Sequence, residues 1–384
     1  MTKLADKALL PNGLEDVLPP AAAQEAAVVE RLIACFSSRG YERVKPPLME
    51  FEGALLSGAG AALSTQTFRL MDPVSQRMLA LRADITPQVV RIAGSRLKSA
   101  PRPLRLCYGG QVLQVKGSQL RPERQFGQVG AELIGASEPA ADAEVMILAA
   151  EALATIGVKE LSLDLNLPTL VGALAAERRI EDERLATLRQ ALDRKDAAEV
   201  GRIAGADAEI FMALLRAAGP AEQAAGALAR LELPKPAKNE LERLQIVVAA
   251  LQAGLPELTL TIDPVEHRGF EYQTGISFIC LARGVRGELG RGGRYRAEGA
   301  LGEAEEATGF TLFMDSVLRA LPAATRKPRV FLPAGTAHAD ATRLQVEGWI
   351  TLAGLAPVRD LVAEARRLAC SHLYDGGQIH AVEP

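Results

Sequence analysis

Residues 124–135 read RQFGQVGAELIG, and residues 104–115 read LRLCYGGQVLQV. Both stretches read as strands, and the polar, basic loop KGSQLRPER (116–124) joins them as an antiparallel pair. Just before the pair, RMLALRADITPQVVRIAG (77–94) predicts a strand, a turn at Asp84 to Pro87 and a short helix. Just after it, SEPAADAEVMILAAEALATIG (137–157) predicts a helix with Ser137 as its N-cap.

Further out, residues 20–39 predict an amphipathic helix. Val28, Val29, Leu32, Ile33 and Phe36 recur at helical spacing, and Gly40 takes the C′ position. YERVKPPLMEF (41–51) predicts an extended segment whose Pro46 and Pro47 lack ladder donors, which suits an edge, a bend or an interface. LSLDLNL (161–167) places Leu161, Leu163, Leu165 and Leu167 on one face, and ELTLTID (257–263) alternates in the same way. The Ala-, Leu-, Glu- and Arg-rich stretch 169–255 between them predicts helices, an insertion within an antiparallel α+β domain. GELGRGGRY (287–295) reads as a tight Gly/Arg-rich turn, and GFTLFMDSVLRAL (309–321) as a helix. LPAATRKPR (321–329) has the composition of a linker, and residues 328–384 alternate strand and helix as a small α/β unit.

The 384 residues are 48% hydrophobic and 24% charged, with a formal net charge of -3, which argues against a generally basic nucleic-acid binder. Cys35, Cys107, Cys280 and Cys370 are scattered, as are His267, His338, His372 and His380. Neither set has ligand spacing, so no metal site and no cofactor are expected. The first twenty residues, MTKLADKALLPNGLEDVLPP, lack an apolar h-region, and no run approaches a membrane span. The expectation is a cytoplasmic protein with neither nucleic acid nor membrane as partner. No P-loop, nucleophile elbow or dinucleotide fingerprint is present.

Several segments, taken in order, carry a resemblance. LPNGLEDVLPP (10–20), RGYERVKPPLMEF (39–51), LRADIT (81–86), RQFGQVGAELIG, HRGFEYQTG (267–275), GRGGRY (290–295) and GFTLFMDSVLRAL appear in the order found in histidyl-tRNA synthetase. The likeness covers residues 10–320. It implies a class II aminoacyl-tRNA synthetase-like antiparallel sheet with flanking helices over 1–320, with the helical insertion 169–255 inside it. RGYERVKPP is similar to class II motif 1, which implies a homodimer through that region. The small unit 328–384 resembles a truncated anticodon-binding domain.

The departures from the synthetase pattern are informative. Motif 2 of that family carries F-R-x-E; counting back fourteen positions from Gln128 puts Gln114 at the Arg and Lys116 at the Glu. Motif 3 ends G-x-E-R, and the register from Gly309 and Phe310 puts Asp315 and Ser316 there. A guanidinium forks onto phosphate and stabilises the charge that shifts during adenylate formation. Each such loss costs about 3 kcal/mol or more of transition-state stabilisation. Gln114, Lys116 and Ser316 are therefore lost ATP-site positions, and no catalytic residue is assigned.

The positions implied for histidine binding fare differently. Asp84 keeps a carboxylate where the synthetases have Glu; Gln128, Glu132, Arg268, Tyr272 and Tyr295 match, and the next synthetase tyrosine is Gln273 here. Taken singly, Asp84 and Glu132 read as ordinary carboxylates and Arg268 as a surface ion pair. As a set in register they read as an amino-acid pocket, with a carboxylate such as Glu132 for the ammonium and Arg268 for the ligand carboxylate. Lys116, Arg121 and Arg124 read as solvated loop cations.

A synthetase-like chain without ATP chemistry resembles the regulatory subunits of ATP phosphoribosyltransferase. That family implies a short-form catalytic subunit as partner, a hetero-octamer, L-histidine as ligand and a role in feedback inhibition of histidine biosynthesis. Two rivals stay open: a divergent synthetase or aminoacylating paralogue, and a stand-alone histidine sensor.

Overall fold

The antiparallel pair read from the sequence becomes the spine of a large sheet in the structure, a computed structural model that describes residues 9–118, 121–267, 273–298 and 304–383. The chain divides into two compact units, one ending at Pro322 and one beginning at Ala323. The first opens with α1 (Ala21–Ser38), β1 (Glu42–Arg43), β2 (Met49–Phe51), α2 (Glu52–Leu55), β3 (Arg69–Met71), β4 (Met78–Leu81) and α3 (Thr86–Gly94). It continues with β5 (Leu104–Leu113), β6 (Gln125–Ile134), α4 (Pro139–Ile156) and β7 (Leu161–Asn166). The insertion follows: α5 (Leu170–Glu177), α6 (Asp182–Asp193), α7 (Ala197–Ala204), α8 (Ala208–Ala217), the short β8 (Gly219–Pro220), α9 (Ala221–Leu228) and α10 (Lys235–Gly254). The unit closes with β9 (Thr259–Asp263), β10 (Gln273–Ala282), β11 (Gly290–Ala297), β12 (Glu305–Phe313) and α11 (Met314–Arg319).

Among the described residues the main sheet has nine strands in the order β1-β5-β6-β12-β11-β10-β7-β9-β8. Its pairs are antiparallel except β1 with β5 and β7 with β9. A parallel neighbour needs a long crossover. The inserted helices supply the one between β7 and β9. The insertion is not helical throughout, since β8 pairs with β9 at the sheet edge. At the other edge β1 is followed by Pro46 and Pro47, after which the chain enters a separate small sheet, β2-β4-β3.

The sheet alternates cleanly between two faces. On one, Val129, Ala131 and Leu133 of β6 and Phe310 and Leu312 of β12 belong to the core that includes Val28, Leu32, Ile33 and Phe36 of α1. Phe36 meets Phe310 edge-on, with centroids 5.4 Å apart. On the other face, Tyr108, Ile134, Tyr295 and Ala307 cluster with Val89, Val90 and Ala93 of α3. The α1 helix ends as expected, with Gly40 left-handed at φ 83°.

Three local expectations are corrected. GRGGRY lies within strand β11 rather than a turn. Its glycines serve close packing, because a Cβ on Gly292 would sit 2.7 Å from the Phe278 ring and one on Gly293 2.6 Å from the Ser277 Cα. GFTLF belongs to β12, and only the residues after it are helical. Helix α4 is capped by Glu138 with Pro139 opening the helix, not by Ser137. The Ser137 carbonyl instead accepts from Arg243.

The second unit holds β13 (Arg329–Leu332), α12 (His338–Val346), β14 (Ile350–Ala353), α13 (Leu361–Arg367), β15 (His372–Asp375) and β16 (Gln378–Ala381). Its sheet order is β14-β13-β15-β16. Val330 and Leu332 pack with Leu344 of α12, while Phe331 packs with Ala365 of α13, so the two helices cover opposite faces. No helix among the described residues is long and apolar enough to cross a membrane.

One buried charge cluster ties the large unit together. Asp142 of α4 is fully buried and accepts from Arg294 of β11 (Nε 3.0 Å) and Arg243 of α10 (Nε 2.7 Å). Arg294 also donates to the carbonyls of Ala136 and Glu138. Removing one partner leaves an uncompensated buried charge. Asp142→Ala is expected to lower unfolding stability by about 3–5 kcal/mol in urea; a loss of less than ~1 kcal/mol would contradict this account.

Candidate ligand-binding cleft

Strand β6 sends Gln128, Gly130 and Glu132 to the face opposite its core residues. Glu132 is only 1% exposed. Its Oε1 accepts from the Thr86 hydroxyl (2.9 Å) and the Tyr108 hydroxyl (3.3 Å), and its Oε2 from Tyr295 (2.8 Å). Tyr108 in turn shares a 2.7 Å bond with Thr311. Burial raises the Glu132 carboxyl from its ordinary 4.5 to about 8; the nearby Asp84 charge adds to the rise, and the three hydroxyls oppose it. Near neutrality the group holds a proton and has one hydrogen of its own to give. Gly309 stands beside it on β12, where a Cβ would run into the carboxylate oxygen.

The turn between β4 and α3 brings in Asp84. Its Oδ1 accepts from the Thr86 amide (2.7 Å) and its Oδ2 from the Gln128 side chain (3.1 Å). The other end of Gln128 accepts from the Ile85 amide (3.1 Å), so its orientation is fixed. Asp84 and Thr86 line two adjoining spaces. The inner pocket also touches Glu132, Gln273, Tyr295, Gly309 and Phe313, and Arg291 lines both spaces. The outer cavity, about 740 Å³, is lined among others by Gln114, Lys116, Arg121, Glu288 and Arg291.

The outer cavity satisfies its own guanidinium groups. Arg291 binds Glu288 at 2.9 and 2.7 Å. Arg121 is turned inward rather than solvated: it donates to Asp315 (3.2 Å) and lies over the Phe313 and Phe126 rings at 3.8 and 4.9 Å. Arg124 likewise donates to the carbonyls of Gln114 and Asn12. Lys116 is exposed. The Gln114 amide donates to the Ala83 carbonyl (3.3 Å). Ser316 is buried, and its hydroxyl accepts from Arg319 (3.0 Å).

Of the residues expected at an amino-acid pocket, the fold brings Asp84, Gln128, Glu132 and Tyr295 together. Arg268 and Tyr272 lie outside the described residues. Sequence reasoning missed Thr86, Tyr108 and Thr311, whose hydroxyls serve Glu132 directly or through one another. A Thr in the turn and a Tyr on the neighbouring strand carry no local signal; only the cross-strand register reveals them.

The sheet and cleft define a class II, histidyl-tRNA synthetase-like protein. The pattern of the histidyl-tRNA synthetase family matches residues 13–317. The fold is similar to that of histidyl-tRNA synthetase from Nostoc sp. PCC 7120, with a TM-score of 0.80 at 16% identity over 95% of this chain and 90% of that one. It is also similar to a Bacillus halodurans structure described as an ATP phosphoribosyltransferase regulatory subunit/histidyl-tRNA synthetase, with a TM-score of 0.81 at 24% identity over 94% and 96% of the two chains. The ATP phosphoribosyltransferase regulatory subunit of Rhodospirillum centenum is 55% identical, covering 98% of this chain and 97% of that one. That of Paramagnetospirillum magneticum is 56% identical, covering 97% of each. The chain belongs to the family of ATP phosphoribosyltransferase regulatory subunits, named for a regulatory rather than a catalytic role in histidine biosynthesis.

The raised Glu132 carboxyl makes stability depend on pH. Its folded-state pKa, about 8, exceeds the ordinary 4.5, so the native state holds the proton more tightly. The resulting stabilisation is full below the ordinary value and is lost as pH rises through about 8. Glu132→Gln removes this dependence. Between pH 5 and 8 the stability difference, wild type minus Glu132→Gln, is expected to fall by up to ~1.4 kcal/mol per pH unit. Chemical denaturation of both proteins across this range checks it; parallel pH profiles would show that Glu132 is ionised throughout.

Proposed function

We propose that the chain is the histidine-responsive regulatory partner of a short-form ATP phosphoribosyltransferase catalytic subunit, acting in the cytoplasm and binding L-histidine in its inner pocket. The observation that carries this reading is the contrast within one cleft. The inner pocket keeps a buried, hydroxyl-wrapped carboxyl and an oriented Asp84–Gln128 pair. The outer cavity has Gln114 where an ATP-binding arginine would stand, and its Arg121 and Arg291 are paired with carboxylates.

In this reading Asp84, at the junction of the two spaces, takes the ligand ammonium. Glu132, neutral in the empty pocket, meets the ring instead. Arg268 takes the ligand carboxylate, and Tyr272 and Tyr295 complete the walls. Gln128 holds Asp84. The family implies a hetero-octamer with the catalytic chain, with no cofactor, metal or nucleic acid required here. Residues 328–384 are read as a truncated anticodon-binding domain kept for packing.

The test is reconstitution with the short catalytic chain. Phosphoribosyl transfer to ATP should rise on addition of this chain and fall again with histidine. Arg268→Ala should assemble and activate as wild type does, yet require roughly 5- to 150-fold more histidine for inhibition. The chain alone should give only background histidine-dependent ATP–pyrophosphate exchange. Unchanged inhibition in a variant that has lost histidine binding would move the regulatory site to the catalytic chain, and robust exchange would restore the synthetase reading.

A homodimer through the 39–51 region is part of the same proposal. Leu48, Met49, Phe51, Met71 and Met78, on or beside the small sheet, all lie open to solvent at 36–57% exposure, which supports a covered face in the assembly. Sedimentation of wild type at micromolar concentration should give a dimer, and Met49→Glu/Met71→Glu should shift it toward monomer. A monomeric wild type, or an unaffected double variant, would place the contact elsewhere or nowhere.

A further inference from the structure

The sheet of the second unit ends on an unguarded edge. Strand β14 pairs in parallel with β13, and among the described residues no strand meets its outer side. Gly354 donates its N–H inward to the Leu332 carbonyl. Backbone direction alternates along a strand, so Ile350 and Leu352 turn inward with Gly354, while Thr351 and Ala353 present their N–H and C=O groups outward. Such an edge invites another strand, and proteins usually blunt it with charge, proline or shortness. The main sheet does so. Its outer strands are the two-residue β1, Glu42–Arg43, soon followed by Pro46 and Pro47, and the two-residue β8, which contains Pro220. By contrast, no charged residue and no proline lies between Gly348 and Gly354. Ile350 is 42% exposed at this edge, and Leu355, just past it, is fully exposed.

The edge is its own complement. Residues 348–354 read GWITLAG. About Thr351 the stretch is a palindrome of residue types: isoleucine against leucine, the bulky Trp349 against the small Ala353, glycine against glycine. Laid antiparallel on a second copy with Thr351 at the two-fold axis, Ile350 comes beside the second copy's Leu352, and Trp349 beside the second copy's Ala353. A two-fold axis normal to the sheet maps each face onto itself, so opposed side chains must belong to one face, and in this register they do. Leu352 lies on the α13 face with Phe331 and Ala365, and Trp349 on the α12 face with Leu344, so each face of the joined sheet gains an apolar pair. The pair at the axis is a hydrogen-bonded one, as the outward direction of the Thr351 backbone requires. Antiparallel pairing also brings the end that carries Glu347 toward the end that carries Arg359. Strand β16, at the other edge of this sheet, reads QIHA and has no such symmetry.

We infer that β14 is a contact between two copies of this chain, with the two small sheets joined edge to edge about Thr351. The contact is separate from the face around residues 39–51. A strand of this length buries less than a standard interface, so it adds to an assembly rather than holding one alone.

The test is oxidative cross-linking of the full chain, read as a doubled mass under non-reducing conditions. Thr351→Cys places a thiol at the axis, where the opposed Cα atoms would lie about 5.5 Å apart, within disulfide reach. Leu355→Cys is the control: that position is more exposed, yet its two copies would lie on the order of 27 Å apart along the paired strands. Cys107, Cys280 and Cys370 are buried, and wild type run alongside shows what Cys35 contributes. Thr351→Cys is expected to link and Leu355→Cys to stay at the mass of one chain. Adding Ile350→Lys, which sets a charge against Leu352, should remove the link. Adding Ile350→Val should keep it, which guards against a Lys variant that fails to fold. Equal linking of the two cysteines would mean random collision. No link from Thr351→Cys would mean that the edge stays open or serves a different partner. Either result, or a link that survives Ile350→Lys unchanged, overturns the contact.

Discussion

A carboxyl group buried against the face of a sheet is the constraint around which the cleft is built. An ionised Glu132 at that depth would be costly, and two responses are visible. The group is held neutral near pH 7, with its pKa pushed up to about 8. It is also surrounded by hydroxyls from three separate elements: Thr86 from the start of α3, Tyr108 from β5 and Tyr295 from β11. Each of those positions is fixed by strand register or by the helix start, so the carboxyl's environment is set before any ligand arrives. Gly309 then follows necessarily, since any side chain there would occupy the carboxyl's place.

The outer cavity is built on the opposite logic. A site for a polyphosphate needs guanidinium groups whose donors are free to turn to the ligand. Here Arg121 lies over Phe313 and Phe126 and binds Asp315, and Arg291 is clamped by Glu288. These charges are spent on the protein's own carboxylates and rings. The same scaffold thus carries one space walled by a buried, hydroxyl-bonded carboxyl and one whose guanidinium groups are bound to the protein's own carboxylates. That division accords with a family named for regulation.

Much of this was legible in the sequence wherever the pattern was long and local. The strand-like stretches at 104–115 and 125–135 located the central strands, and the alternation at 161–167 and 257–263 located β7 and β9. Matching to the family's motifs singled out Asp84, Glu132 and Tyr295, which the fold brings to one pocket. Failures came where tertiary packing overrode local chemistry. GRGGRY looks like a turn because glycine favours turns, yet here glycine is needed so that β11 can lie close against its neighbours. Arg121 looks like a solvated loop cation because nothing nearby in sequence announces Phe313 or Asp315. Ser137 has the right side chain for a cap, but Pro139 opens the helix, and the Ser137 carbonyl serves Arg243.

Strand β11 shows how the two faces depend on each other. Tyr295 points into the cleft and donates to Glu132, while its neighbour Arg294 points to the helices and binds Asp142. A slip of one residue would exchange them, setting a guanidinium against the neutral carboxyl and a phenol against a buried aspartate. Both outcomes leave charges unpaired, so the register is held from both sides at once. Arg243 on α10 completes the grip on Asp142, which makes the inserted helices part of what positions Tyr295. The chain between β7 and β9 is therefore not an ornament on the sheet: it helps to fix the strand on which one wall of the pocket stands.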